Sequence, residues 1–339
     1  METRKQAILR AVVQEFTTSA VPVGSQALQS RYFVNLSSAT IRSELADLAE
    51  AGYLAQPHTS AGRVPTDSGY RYFVDFLMDL EEVPEQVRNY IHDELHAAPS
   101  DVQGLVEKVA MTAAAVTQNA AVASAPVGSQ ARVKHVDLVS LEPMEILLIL
   151  LLDGNLLRQQ VLNVSQEATQ GQLTELAVGL NRSLAGRLSE DVRRHYEGAK
   201  LGLEKEVVGS IVAALDQYEK GAENLVVHDG VRNLVRQPEF AESARLQQVL
   251  EVLEETRYLT ALLRELIGES DLQIVIGSEN ASSHLQGCAV VLTNYGPSHS
   301  VKGVLGVIGP TRMAYSQTVA RLRAVAQAAS VRMTEARAS

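Results

Sequence analysis

The sequence predicts an α+β chain of several domains, and three observations predict it. Residues 1–78 carry three amphipathic helical patterns followed by two short strand patterns around a Pro/Gly-rich loop. Strand patterns fill 133–164 and return at 272–308, with Asp153-Gly154-Asn155 between two apolar runs as a strong hairpin signal. The stretch between those blocks reads mainly as helix, so an antiparallel-sheet domain is interrupted by an inserted unit. The 339 residues also exceed what one core usually supports. Aromatics are 4% and Trp is absent, so the cores are expected to be Leu, Val, Ile and Ala.

The elements follow in order. Ile8, Leu9, Val12, Val13 and Phe16 recur at helical spacing and predict a helix over 2–18. Val21-Pro-Val-Gly24 breaks it. Ser25 reads as the cap of a short second helix, Gln26–Tyr32, and Asn35-Leu36 as a turn. Ser37 caps a third helix from Ser38 to about Ala51, which Gly52 ends. Ile41, Leu45 and Leu48 form its buried stripe, while Ala39, Ser43 and Ala46 face away, flanked by Thr40 and Arg42. Tyr53–Gln56 is a short strand, and Pro57–Pro65 is a loop returning to a second one. Thr66 starts a helix carrying Tyr70, Tyr72, Phe73, Phe76 and Leu77. Three helices and a two-stranded wing are the order of a winged helix-turn-helix, placed at 1–78.

Glu81–Pro99 is acidic and helix-like, and 79–100 is expected to be a connector. Val102 to about Val122 reads as an Ala/Val-rich helix. Strands are expected at Val133–Leu141, Met144–Leu152 and Leu156–Val164. Helical periods follow at Leu173–Leu188, Leu203–Tyr218 and Phe240–Ile267, with a short strand at Asn224–His228. Leu272–Gly277, Cys288–Asn294 and Ser300–Ile308 read as strands, and Pro310 to about Ser330 as a final helix. These group into a sheet-bearing domain in two segments, 101–165 and 268–339, with a mostly helical insert at 166–267.

Net charge is −10, which taken globally argues against binding phosphates. The distribution argues otherwise. Residues 1–75 hold seven basic and seven acidic side chains, so the whole negative balance lies beyond them. Phe16–Ser43 and Ala51–Thr66 contain no acid at all. A surface built from those two windows is neutral to basic.

Several function classes lack their signatures. The one cysteine, Cys288, sits in an apolar run and reads as a buried strand residue. Gly303, Gly306 and Gly309 do not make the dinucleotide fingerprint, and there is no P-loop. They read as glycines for turns and bends. His228-Asp229 and Ser283-His284 lack a nucleophile elbow or a third partner. Metal-ligand spacing is absent, so no enzyme, cofactor or metal is expected. The longest membrane candidate, Ile146–Leu152, is far shorter than the roughly 20 residues a spanning helix needs. With a polar, charged N-terminus, a cytoplasmic protein is expected.

The chemistry-bearing residues cluster on the third helix and the wing. A helix fits the major groove and reads bases with its N-terminal residues. Thr40, Arg42 and Ser43 are placed for base edges, and Ser37 and Ser38 for phosphate at the positive helix end. The plainer alternative is that Ser37 is only a cap and Arg42 only a solvated side chain. The wing offers His58, Thr59, Ser60 and Arg63, with Arg63 within reach of a phosphate or the minor groove. The alternative there is a turn shaped by Gly62 and Pro65. Tyr70, Tyr72 and Phe73 pack the last helix onto the domain, and Arg71 between them is a candidate phosphate contact.

The run Leu36-Ser-Ser-Ala-Thr-Ile-Arg-Ser-Glu-Leu-Ala-Asp-Leu-Ala-Glu-Ala-Gly-Tyr-Leu-Ala-Gln-Pro-His-Thr-Ser-Ala-Gly-Arg-Val-Pro-Thr-Asp-Ser-Gly-Tyr-Arg-Tyr-Phe-Val-Asp75 closely resembles the signature stretch of the HrcA family. Gly303-Val-Leu-Gly-Val-Ile-Gly-Pro-Thr-Arg-Met-Ala-Tyr315 resembles a second one. The two lie at opposite ends, so the resemblance spans essentially the whole chain. One departure is that Ser43 stands where the family usually has Asn, and it offers fewer hydrogen bonds. The resemblance implies a winged helix, a GAF-like domain and an inserted dimerisation domain. It implies a dimeric repressor of class I heat-shock (chaperone) operons. Such a repressor binds the CIRCE inverted repeat in double-stranded DNA, and the chaperonin GroEL supports its active form. Two-fold operators are read by two-fold dimers, and the Leu- and Val-rich insert is the expected homodimer interface. The runner-up is a transcription regulator that senses a small ligand through the GAF-like domain.

Overall fold

The computed structural model describes residues 1–58, 61–99, 101–126, 132–152, 156–199, 201–223, 225–241, 243–254, 271–298 and 301–338. It is a mixed α+β structure with antiparallel sheets.

The N-terminal part is built as its periodicity and caps dictate. Helix α1 (Thr3–Ser19) buries Ile8, Leu9, Val12 and Val13. Helix α2 (Ser25–Arg31) and helix α3 (Ser38–Glu50) follow. Strands β1 (Leu54–Ala55) and β2 (Val64–Pro65) form an antiparallel hairpin in which Leu54 faces Pro65. Arg63, just before β2, exchanges main-chain hydrogen bonds with Val23 at 2.8 and 2.9 Å, so the hairpin is stitched to the segment between α1 and α2. A Cβ on Gly62 would lie 2.4 Å from the Val23 carbonyl carbon, so this crossing requires glycine. Ser25 is not the cap of α2 but its first residue, behind Gly24. Its hydroxyl instead lies 2.9 Å from that of Ser38 and joins the starts of α2 and α3. Thr66 caps helix α4 (Asp67–Tyr72), accepting from the Gly69 N–H at 3.1 Å. A π-helical turn, Phe73–Leu77, continues it.

Helix α5 (Glu85–His96) occupies the connector, and helix α6 (Val102–Thr117) follows. The expected helix to Val122 stops short. Gln118 turns left-handed (φ 55°, ψ 34°), and the apolar run after it becomes strand β3 (Ala120–Ser124), buried throughout. A continuous apolar run buried on both faces carries no period that separates helix from strand.

Strand β3 lies inside a five-stranded antiparallel sheet of order β7-β3-β10-β9-β8. Its other strands are β7 (Val226–Asp229), β8 (Leu272–Ile276), β9 (Cys288–Ser298) and β10 (Val301–Pro310). One face packs on α6 and the C-terminal helix α12 (Tyr315–Ala338), in a core continuous with that of α1–α4. Helix α12 begins five residues beyond the expected Pro310, because Pro310 to Met313 forms a turn closed by a 3.0 Å bond from the Met313 N–H to the Pro310 carbonyl. The other face packs on helix α10 (Val231–Val235), a 3-10 turn at Pro238–Phe240 and helix α11 (Ser243–Glu254). The remainder of the expected Phe240–Ile267 helix lies outside the described residues. Gly303 and Gly309 do not mark turns. A Cβ there would lie 2.6 Å from the Ser124 carbonyl and 2.1 Å from Asn119 Oδ1, so they permit close approach inside the sheet.

One expectation about sheet membership is corrected. Strands β4 (Val133–Glu142), β5 (Glu145–Leu152) and β6 (Leu156–Asn163) do not extend the five-stranded sheet; they form a separate antiparallel sheet. Helices α7 (Gln170–Leu184), α8 (Ser189–Gly198) and α9 (Leu203–Glu223) follow it in sequence. Val136, Leu138, Ile146, Leu148 and Leu150 join Leu173, Leu180, Val208 and Ile211 in one core distinct from the others. Alternation along a strand tells that it is half-buried but not which partners cover it, so the grouping was invisible in one dimension. The Asp153-Gly154-Asn155 connection lies outside the described residues, but it joins Leu152 to Leu156 directly opposite. Conversely, β7, α10 and α11, placed with the insert from sequence, pack on the five-stranded sheet.

Helices α7–α9 cover one face of this second sheet. On the other face Leu147, Ile149 and Leu151 of β5 are only half-buried, and Leu157 and Val161 of β6 are each 53% exposed. Strand β5 is therefore apolar on both faces but covered on one among the described residues.

Candidate nucleic-acid interface

Helix α3 is set by its cap and its buried stripe. Ser37 is extended (φ −71°, ψ 148°), and its hydroxyl accepts the Thr40 N–H at 3.0 Å. The Ser37 and Thr40 hydroxyls also bond at 2.8 Å. Ile41, Leu45 and Leu48 are buried, which fixes the rotation of the helix. Ala39, Arg42, Ser43 and Ala46 are consequently exposed, and Thr40 is half-buried beside them. Arg42 and Ser43 have no partner within the described chain. Ser37 and Ser38 are placed at the helix start, but their hydroxyls are already engaged, Ser37 as the cap and Ser38 with Ser25.

The acids of α3 lie beyond its first turn, and the two nearest that turn are paired. Glu44 is buried and bonds Arg4 Nε at 2.6 Å. Asp47 lies 2.9 Å from the Lys5 ammonium, and that hydrogen bond raises the Lys5 pKa. The first turn of α3 carries no acid. Arg4 and Lys5, in the first turn of α1, thus neutralise the carboxylates nearest the exposed face and leave the dipole end of the helix unopposed. Both cations are visible in the sequence, but nothing local there assigns them a role. Their i, i+1 position on a helix one core away from α3 was the only signal.

In the hairpin, His58 is exposed, and its carbonyl accepts the Ala61 N–H at 2.8 Å. Ser60 and Thr59 lie outside the described residues. Arg63 is half-buried, pinned through its main chain to Val23, and its buried Nε has no acceptor within the described chain.

Arg71 is brought elsewhere than expected. Its guanidinium forks onto the carboxylate of Glu279, with the Nε bond at 2.8 Å, and donates to the Ile274 carbonyl at 2.6 Å and to Asp75 at 3.2 Å. The hydrogen bonds it donates to Glu279 and then to Asp75 raise its pKa further, against the cost of burial. Burial opposes ionisation of Glu279, but the hydrogen bonds from Arg71 and the Ile276 N–H outweigh it and lower that carboxyl's pKa. In this arrangement Arg71 is neutralised within the chain and ties α4 to the end of β8 rather than facing a phosphate. Sequence could not show this, because Glu279 and Ile274 lie some 200 positions away.

Burial pushes the Cys288 thiol up to about 12, which leaves it protonated and unreactive near neutrality. Among the described residues no group of His, Cys, Asp and Glu has the disposition of a metal site, and no helix is long and apolar enough to cross a membrane.

A three-helix unit with a hairpin, whose third helix presents an acid-free N-terminal face, joined to an α+β body, defines a DNA-binding transcription regulator. The sequence profile of the HrcA protein C terminal domain matches residues 103–319. The chain belongs to the HrcA family. A heat-inducible transcription repressor HrcA of Roseiflexus castenholzii is 36% identical, over 98% of this chain and 94% of that one. The protein of the same name from Thermobifida fusca is also 36% identical, over 96% and 95%. Among solved structures, that of a hypothetical protein superposes with a TM-score of 0.66, at 20% identity and 99% coverage of both chains, which shows a shared fold.

Proposed function

We propose that this chain is a negative regulator of class I heat-shock operons that binds the CIRCE inverted repeat as a homodimer, with GroEL supporting its active form. Its family consists of repressors by name, and the N-terminal face of α3 is the observation that carries the mechanism. α1–α3 with β1 and β2 act as a winged helix-turn-helix. Thr40, Arg42 and Ser43 read base edges in the major groove, and the amide end of α3 at Ser37 and Ser38 approaches phosphate. His58, Ser60 and Arg63 of the wing contact the adjacent backbone or minor groove. Repression follows because a protein seated there blocks transcription.

The unit of β4–β6 and α7–α9 serves as the dimerisation domain, and the five-stranded sheet as the GAF-like body. The open apolar face of Leu147, Ile149, Leu151, Leu157 and Val161 supports this, since a strand apolar on both faces is normally covered on both. A two-fold axis there presents two α3 helices to two half-sites.

The test is a fluorescence-anisotropy titration of the full chain onto a CIRCE-type duplex and a scrambled duplex at two salt concentrations, with and without GroEL. The inverted repeat is expected to bind about 10³-fold or more tighter than the control, with an affinity that falls steeply with salt. Equal weak binding to both duplexes, unchanged by GroEL, would overturn the reading.

A further inference from the structure

The stretch Gly303–Tyr315, which the sequence singles out, plays no part in the α3 surface. Its last residues sit where the N-terminal unit meets the five-stranded sheet. The Arg312 side chain is 12% exposed. It donates from Nη1 to the Thr17 carbonyl at 2.9 Å, from Nη2 to Gln237 Oε1 at 2.7 Å, and from Nε to Glu239 Oε1. One guanidinium thus ties the last turn of α1 to the segment after α10 and to the start of α12. The last turn of α1 has no basic residue of its own, so Arg312 supplies the cation that a helix C-terminus attracts. Three residues on, Tyr315 is 1% exposed and packs on Tyr70 of α4 with ring centroids 5.8 Å apart.

A second contact lies on a different element. Besides the Arg71–Glu279 fork, Asp67 of α4 accepts the Ser278 N–H at 2.8 Å. Gly277 holds φ +53°, and a Cβ there would lie 2.3 Å from the Asp67 carboxylate, so this approach requires glycine. Held at the end of α1 and along α4, the N-terminal unit cannot swing about a single point. Helix α3 shares the α1 core, so its orientation to the body is fixed at this joint.

We propose that Arg312 is a positioning residue for operator recognition. By clamping α1 to the body it sets the separation and angle of the two α3 helices, and therefore the half-site spacing the dimer accepts. This rests on the dimeric operator-binding reading above. The charge-bearing fork matters because it meets three acceptors on two segments, α1 and Gln237–Glu239, from a third, and its planar guanidinium holds them in a fixed geometry that the point charge of a lysine does not impose.

The test compares the full-length wild type with Arg312→Ala and with Gln237→Ala, which removes one of the three acceptors. Each is titrated onto duplexes whose half-sites are moved apart by one, two and five base pairs, and onto a single half-site. In parallel, pulsed dipolar spectroscopy measures the distance between labels at Gln26→Cys and Gln327→Cys in a Cys288→Ala background. The wild type is expected to prefer one spacing at least about tenfold. Arg312→Ala is expected to reduce that preference to within about twofold while binding the single half-site as before, and to broaden the label distance. Gln237→Ala is expected to fall between them. An unchanged spacing preference with an unchanged distance distribution overturns the proposal. Loss of single half-site binding in Arg312→Ala also overturns it, because the residue would then support the reading unit itself. A wild type that binds no duplex specifically overturns the operator reading, and the distance measurement then separately upholds or overturns the clamp.

Discussion

Replacing Arg42 with alanine is expected to weaken operator binding by about 1–3 kcal/mol, roughly 5- to 150-fold, and to leave thermal stability unchanged. The reasoning starts from packing. Arg42 is exposed, lies next to buried Ile41, and bonds nothing within the described chain. Alanine is the best helix former, so α3 loses neither its cap nor its core stripe. What disappears is a bidentate donor at the helix end proposed to enter the groove. Anisotropy titration and a thermal melt on the same preparation check both halves. A base contact lowers affinity for the operator much more than for a scrambled duplex. A phosphate contact lowers both equally and reduces the salt slope by about one. Unchanged operator affinity would remove Arg42 from the interface.

Tyr315→Ala is expected to destabilise the chain by about 3–5 kcal/mol, the usual cost of deleting a large buried ring. The ring is 1% exposed and packs at a tilt of 54° against Tyr70, and its hydroxyl donates to the Thr311 carbonyl at 2.6 Å. A domain of ordinary stability has only about 5–15 kcal/mol in total, so chemical denaturation should show a much earlier midpoint. Tyr315→Phe keeps the ring and gives up one hydrogen bond, and is expected to cost about 1 kcal/mol. Equal losses in the two variants would contradict the view that the ring packing across the joint dominates.

The N-terminal unit was legible because its signals are local. Ile8, Leu9, Val12 and Val13 repeat at the helical period, and Ser37 caps α3 within three residues of its own position. The exposed face of Arg42 and Ser43 follows from the same period once Ile41, Leu45 and Leu48 are assigned to the core. What failed was partner choice across long separations. Ala120–Ser124 reads like the helix before it, and only its place between β7 and β10 makes it a strand. The strands of 133–163 pair among themselves, although their pattern equally suited the larger sheet. Arg71 looks free in sequence and is held by Glu279, far along the chain. The neutrality of the α3 face had the same origin, because Arg4 and Lys5 reach Glu44 and Asp47 only after α1 packs on α3.

The most direct measurement is a hydroxyl-radical footprint of the full chain on a CIRCE-type duplex, with Arg42→Ala alongside. The account predicts two protected blocks related by the operator dyad, their centres a whole number of helical turns apart (about 10–10.5 base pairs per turn), both fading in the variant. A single block, or protection without two-fold symmetry, would contradict a dimer that reads two half-sites with its α3 helices.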